Sequence, residues 1–84
     1  GWTSLTYPNP SPLFAGVEEG SNVYFVHSFC GMAADPATVI AQTDYGTPVV
    51  VAVQKGNVYG CQFHPEKSGE VGLQILRNFG GLNR

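Results

Sequence analysis

The residues of this sequence best suited to chemistry are His64 and Glu66, which flank Pro65. Proline fixes its own φ, has no N–H, and drives the residue before it out of the helical region. The tripeptide is therefore expected to be extended, and alternate side chains of an extended segment share a face. His64 and Glu66 then point the same way, close enough for the carboxylate to accept a bond from an imidazole N–H. Such a bond fixes the tautomer and leaves the other ring nitrogen as a base. This is the base-and-orienter half of a nucleophilic triad. A structural role competes with it, because a glutamate at the start of a helix is stabilised by the helix dipole without any chemistry.

A nucleophile for that base is not evident. Cys61 lies three positions before His64, so on a strand it faces the other side. Cys30, in Ser28-Phe29-Cys30-Gly31-Met32, lacks the G-x-C-x-G surroundings of a strained strand-to-helix turn. Both cysteines read as buried, inert thiols of an intracellular chain, and their spacing is not C-x-x-C. Together with His27 and His64 they reach a zinc ligand count but not a zinc ligand spacing, so no metal is expected. His27, on a strand face with Phe25 and Phe29, reads as a packed structural histidine.

The elements that must position the pair can be read from the flanks. Gly1 to Leu5 is extended, and Tyr7 to Pro12 is a loop with three prolines. Leu13 to Val17 suits one helical turn. Asn22 to Phe29, Thr38 to Thr43, Pro48 to Gln54 and Val58 to Phe63 read as strands. The unbroken apolar run Pro48 to Val53 suggests a strand covered on both faces. Gly56-Asn57 is a hairpin turn, since both residues tolerate positive φ. A helix follows, with Ser68 as its N-cap, Glu70 at its positive end, and Val71, Ile75, Leu76 and Phe79 on one face. Gly80-Gly81 is expected to stop it. The outline is α+β: a mostly antiparallel β meander with a C-terminal helix.

Bulk properties exclude several classes. The 84 residues suffice for one small domain, and the first residue is Gly1, as expected of a processed product or a piece of something longer. A net charge of -2 gives no nucleic-acid or anionic-membrane signal. No apolar run approaches a membrane span. Charged residues are only 12% of the chain, about half of the usual ~25%. That leaves little polar cover for the apolar face of a sheet, so a covering layer or self-association is expected.

The segment Gly60-Cys61-Gln62-Phe63-His64-Pro65-Glu66-Lys67-Ser68 resembles the closing motif of class I glutamine amidotransferases, whose triad is Cys-His-Glu. In that family the histidine and glutamate of a Q-F-H-P-E segment are catalytic, and they match His64 and Glu66. The flanking Gly1-Trp2, Tyr24 to Phe29, and His64 to Phe79 look like the glutaminase subunits of imidazole glycerol phosphate synthase. The resemblance spans essentially the whole chain but only the C-terminal part of an α/β amidotransferase domain, so residues 1–84 are expected to be one partial domain. Thr3 departs from it, since the family usually has Asn after the Gly-Trp pair.

The resemblance implies a cytoplasmic glutaminase that needs no cofactor. It would release ammonia from glutamine for a cyclase subunit, a (β/α)8 barrel, in histidine biosynthesis. It implies further that the nucleophilic cysteine and the oxyanion hole lie outside this chain, which alone is expected to be inactive. Trp2, Tyr24 and Lys67 are expected to face the cyclase. Two other readings are a non-catalytic module that keeps only packing and partner surfaces, and a different class I amidotransferase.

Overall fold

Polar side chains and tight turns, rather than long elements, organise this chain. The computed structural model describes residues 1–25, 35–44 and 46–82. Strand β1 (Trp2–Ser4) pairs antiparallel with β2 (Asn22–Tyr24), with Thr3 opposite Val23. Strands β3 (Val39–Asp44), β4 (Pro48–Lys55) and β5 (Val58–Cys61) form a second antiparallel sheet with β4 in the middle. A 14-residue helix, α1 (Gly69–Leu82), closes the described chain. The expected antiparallel meander and C-terminal helix are therefore present, divided between two small sheets.

The two sheets are stitched together through the first strand's continuation. Thr6 and Gln42 exchange both backbone hydrogen bonds, at 2.9 and 2.8 Å. The Thr3 and Thr43 hydroxyls also bond to each other. Three consecutive residues of β3, Val39, Ile40 and Ala41, are buried. Strict alternation would forbid this, but two register shifts beside Ala41 bulge the strand and re-aim its side chains.

The core gathers Leu5, Leu13, Phe14, Val17, Val23, Phe25, Ile40, Val51, Phe63 and Ile75 from β2, β3, β4, α1 and the segments between them. Each fully buried side chain of this size contributes about 1.5–3 kcal/mol relative to exposure. Tyr7 stacks on Phe14 at 4.7 Å, and its hydroxyl donates to the Val17 carbonyl oxygen at 3.1 Å. Burial, with the Glu19 carboxylate nearby, pushes that phenol up to about 12.

Several expectations are corrected in detail. The run Pro48 to Val53 is fully covered on both faces only at its centre: Val51 and Ala52 are buried, while Val49, Val50 and Val53 are half-buried. The β4–β5 turn uses positive φ at Gly56 alone (60°), the Gly-first pattern of a type II′ turn. The expected helical turn near Leu13 is a 3-10 turn at Pro12–Phe14, with Ser11 Oγ accepting from the Leu13 N–H. Gly80 and Gly81 do not end α1, which continues to Leu82. The reading of the strand beyond Phe25, with His27, Phe29 and Cys30, lies outside the described residues.

Candidate functional site

The expected pair is brought together. His64 Nδ1 lies 3.0 Å from Glu66 Oε1. The side chains are open to solvent, at 41% and 61% of full exposure. The route differs from the expected extended tripeptide. Only His64 is extended (φ -105°, ψ 94°), while Pro65–Lys67 forms a 3-10 turn. Proline's fixed φ suits the first position of a helical turn, so the chain folds back immediately after His64. Both side chains end on the same side because the turn curls Glu66 toward the ring.

An exposed pair of this kind contributes little on its own, because water and salt screen it. Its geometry must come from the backbone. The His64 N–H donates to the Tyr24 carbonyl oxygen at 2.9 Å, and the His64 carbonyl oxygen accepts from Lys67 N–H at 3.0 Å. The Pro65 carbonyl oxygen accepts from Ser68 N–H at 3.0 Å. Gly69, at φ 62°, then swings the chain into α1, a conformation that only glycine adopts cheaply. The carboxyl of Glu66 is held below its ordinary range. The main cause is a hydrogen bond from its own backbone N–H. Partial loss of hydration opposes this, and the His64 side chain and the Lys67 charge add smaller downward contributions.

Ser68 and Gly72 are the members that sequence reasoning missed. Ser68 holds the expected N-cap position, its carbonyl oxygen accepting from the Gly72 N–H, but its hydroxyl reaches back to the site instead of capping the helix. Gly72 lies inside α1, where glycine costs about 1 kcal/mol relative to alanine. A Cβ there would stand 1.8 Å from the Pro65 carbonyl oxygen. A glycine in a helix interior was the one sequence signal that a backbone approaches closely at this point.

The three other singled-out residues meet around Tyr24. Trp2 packs edge-on against its ring at 5.9 Å, and Lys67 Nζ sits 5.9 Å above it. The His64 ring lies 6.2 Å away on the same aromatic. Trp2 is 58% exposed. Cys61 is exposed rather than buried as expected. Although the residue is exposed as a whole, it lines the apolar pocket beside Tyr59 and Phe79, and loss of hydration at its thiol, followed by the Glu66 charge, pushes the thiol up. Among the described residues, no three of His, Cys, Asp and Glu cluster as a metal site. Nor is any helix there long and apolar enough to cross a membrane.

The family model for "Glutamine amidotransferase class-I" matches residues 1–81. The chain belongs to the class I glutamine amidotransferase family. Among curated relatives, "Imidazole glycerol phosphate synthase subunit HisH" of Geobacillus sp. (strain WCH70) is 51% identical over 82 residues, covering 98% of this chain and 38% of the relative. The protein of the same name from Halobacterium salinarum is 54% identical over 81 residues, covering 94% of the chain and 37% of the relative. The one from Moorella thermoacetica is 44% identical over 84 residues, covering 100% and 40%. The chain thus spans 37–40% of the length of these three relatives.

Proposed function

We propose that this chain supplies the histidine–glutamate part of a Cys-His-Glu glutaminase, whose ammonia feeds a cyclase in histidine biosynthesis. The observation that carries the reading is the 3.0 Å contact between His64 Nδ1 and Glu66 Oε1 inside a matched amidotransferase segment. The names of its relatives support the pathway.

The chemistry follows from the ring's two nitrogens. With Nδ1–H donated to Glu66, Nε2 is an acceptor. It takes the proton of a cysteine thiol supplied by the remainder of the domain. The thiolate attacks the side-chain amide carbon of glutamine. His64 Nε2–H then protonates the departing nitrogen, releasing ammonia and leaving a thioester. A water, deprotonated by Nε2, attacks the thioester, and the thiol leaves with that proton. The sum is glutamine plus water giving glutamate plus ammonia. Glu66, held ionised, keeps the ring oriented and supports its positive charge during both transfers.

Exposed Trp2 and Lys67 and the half-buried Tyr24 between them form one aromatic and cationic surface beside the pair. We assign that surface to the cyclase subunit, which the family resemblance describes as a (β/α)8 barrel. Aromatic enrichment in interface cores supports the assignment.

The test is complementation. The portion of the Geobacillus relative outside the matched segment is produced separately and mixed with this chain. Ammonia release from glutamine by the mixture, and by neither part alone, is the expected result. A mixture that assembles but releases no ammonia would instead favour a module that keeps only packing and partner surfaces.

A further inference from the structure

The contacts of Ser68 assign it a function beyond starting a helix. Its hydroxyl donates to the His64 carbonyl oxygen at 2.6 Å and accepts from the Tyr24 N–H at 2.9 Å. Ser68 is 2% exposed. The Ser68 carbonyl oxygen in turn accepts from Gly72 N–H at 3.2 Å. One buried hydroxyl therefore joins three elements: strand β2 through Tyr24, the turn through His64, and helix α1 through its own backbone.

We propose that Ser68 is the positioning residue of the His64–Glu66 pair, acting through the His64 peptide rather than on substrate. This rests on reading that pair as catalytic. The pair is too exposed to hold itself, as its solvent-screened contact is weak. The His64 N–H already bonds Tyr24, and the His64 carbonyl oxygen already accepts from Lys67 N–H. Those two bonds fix the peptide at each side but leave strand and turn free to shear. The Ser68 hydroxyl closes the triangle, since it bonds the same Tyr24 and His64 residues from a third point. The close seat of Gly72 on the Pro65 carbonyl oxygen keeps the turn from relieving a lost bond by moving toward the helix. Removing the hydroxyl therefore leaves the Tyr24 N–H without its partner and lets the His64 peptide rotate. The Nδ1 to Oε1 contact is then no longer enforced.

The experiment uses the 84-residue chain with nitrogen-labelled histidine, read by long-range nitrogen–proton NMR with His64 neutral. The wild type is expected to carry its proton on Nδ1. In Ser68→Ala and in the near-isosteric Ser68→Cys, the ratio of Nδ1–H to Nε2–H forms should fall about threefold or more as the carboxylate contact loosens. Tyr24 amide exchange should quicken about tenfold in both. Ser68→Thr, which keeps the hydroxyl, should restore the wild-type tautomer. A merely structural role would lower stability in all variants without moving the tautomer. Folded Ser68→Cys chain with an unchanged tautomer ratio overturns the proposal. If neither Ala nor Cys variant folds, wild-type exchange decides: a Tyr24 amide that exchanges at the rate of an unstructured peptide overturns it, and strong protection supports it. Complementation tests the catalytic reading separately, because it reads ammonia. An unchanged tautomer alongside His64-dependent ammonia release would sink only this proposal.

Discussion

Gly72 and Gly80 are the same residue type on the same helix, and they stand in opposite environments. A Cβ on Gly72 would meet the Pro65 carbonyl oxygen at 1.8 Å, whereas one on Gly80 would meet nothing within 4 Å. The first half of α1 is fitted to the turn that carries His64 and Glu66, with Gly72 and Ile75 buried. The second half carries Leu76, Phe79 and Leu82 at 43%, 42% and 38% exposure. Leu76, Phe79, Tyr59 and Cys61 also line an apolar pocket of about 210 Å³ between α1 and the edge strand β5. The site-facing half is thus constrained at the level of backbone atoms. The distal half is held through side chains instead: Asn78 Nδ2 donates to the Leu13 and Ala15 carbonyl oxygens, both at 2.8 Å, and Phe79 meets Tyr59 edge-on.

The largest expected effect breaks that contrast most sharply. Gly72→Ala should destabilise the chain by about 3 kcal/mol, at the upper end for overpacking, because the obstacle is backbone. Gly80→Ala should stabilise it by about 0.5–1 kcal/mol, since it gains helix propensity and meets no neighbour. Urea unfolding of the two variants reads the opposite signs, and equal effects would dissolve the distinction between the halves.

The next effect probes the distal half. With its apolar patch uncovered, the chain is expected to self-associate at tens of micromolar. Phe79→Glu, which removes the edge-on contact with Tyr59 at 6.0 Å and adds charge, should weaken that association roughly tenfold. Sedimentation velocity over a concentration series measures it. A strictly monomeric wild type would show that this surface needs no cover.

A smaller effect lies away from both halves. Tyr7 has its phenol raised to about 12, so the folded chain keeps a proton that the unfolded chain loses near its ordinary value of 10. The associated stability is whole below pH 10 and is lost as pH rises from 10 through about 12. Tyr7→Phe should remove that alkaline loss, leaving a flatter unfolding profile there. Glu66 has the opposite sign and the smallest effect. Its carboxyl is depressed, so its contribution is present above the ordinary carboxylate value and fades as pH falls through the folded one. Glu66→Gln should shallow the acid limb only slightly, the group being so exposed.

Much of this arrangement was legible in the residues. Alternation and β-branching gave the strands, because each half-buried strand writes its period into its side chains. Proline marked the junction, and His64 and Glu66 were found by type and spacing. The internal geometry of the turn was not legible. Pro65 is compatible both with extended chain and with a first helical turn, and the choice was made by the Lys67 and Ser68 N–H groups finding carbonyl oxygens. Nor could the task of Ser68 be read, since a serine before a helix is a routine cap until its hydroxyl is seen to bond elsewhere. The burial of β4 was overestimated for a related reason: a valine run reports what a strand prefers, not how many layers cover it.

The most direct test of the central claim, that His64 and Glu66 act as one catalytic unit, is a double-mutant cycle in the complemented glutaminase at saturating glutamine. His64→Ala should lower kcat by about 10³–10⁴-fold, and Glu66→Gln should lower it less. The double variant should match His64→Ala within about twofold, because the glutamate works only through the ring. Losses that multiply in the double variant would contradict the account, since they would mean that Glu66 acts independently of His64.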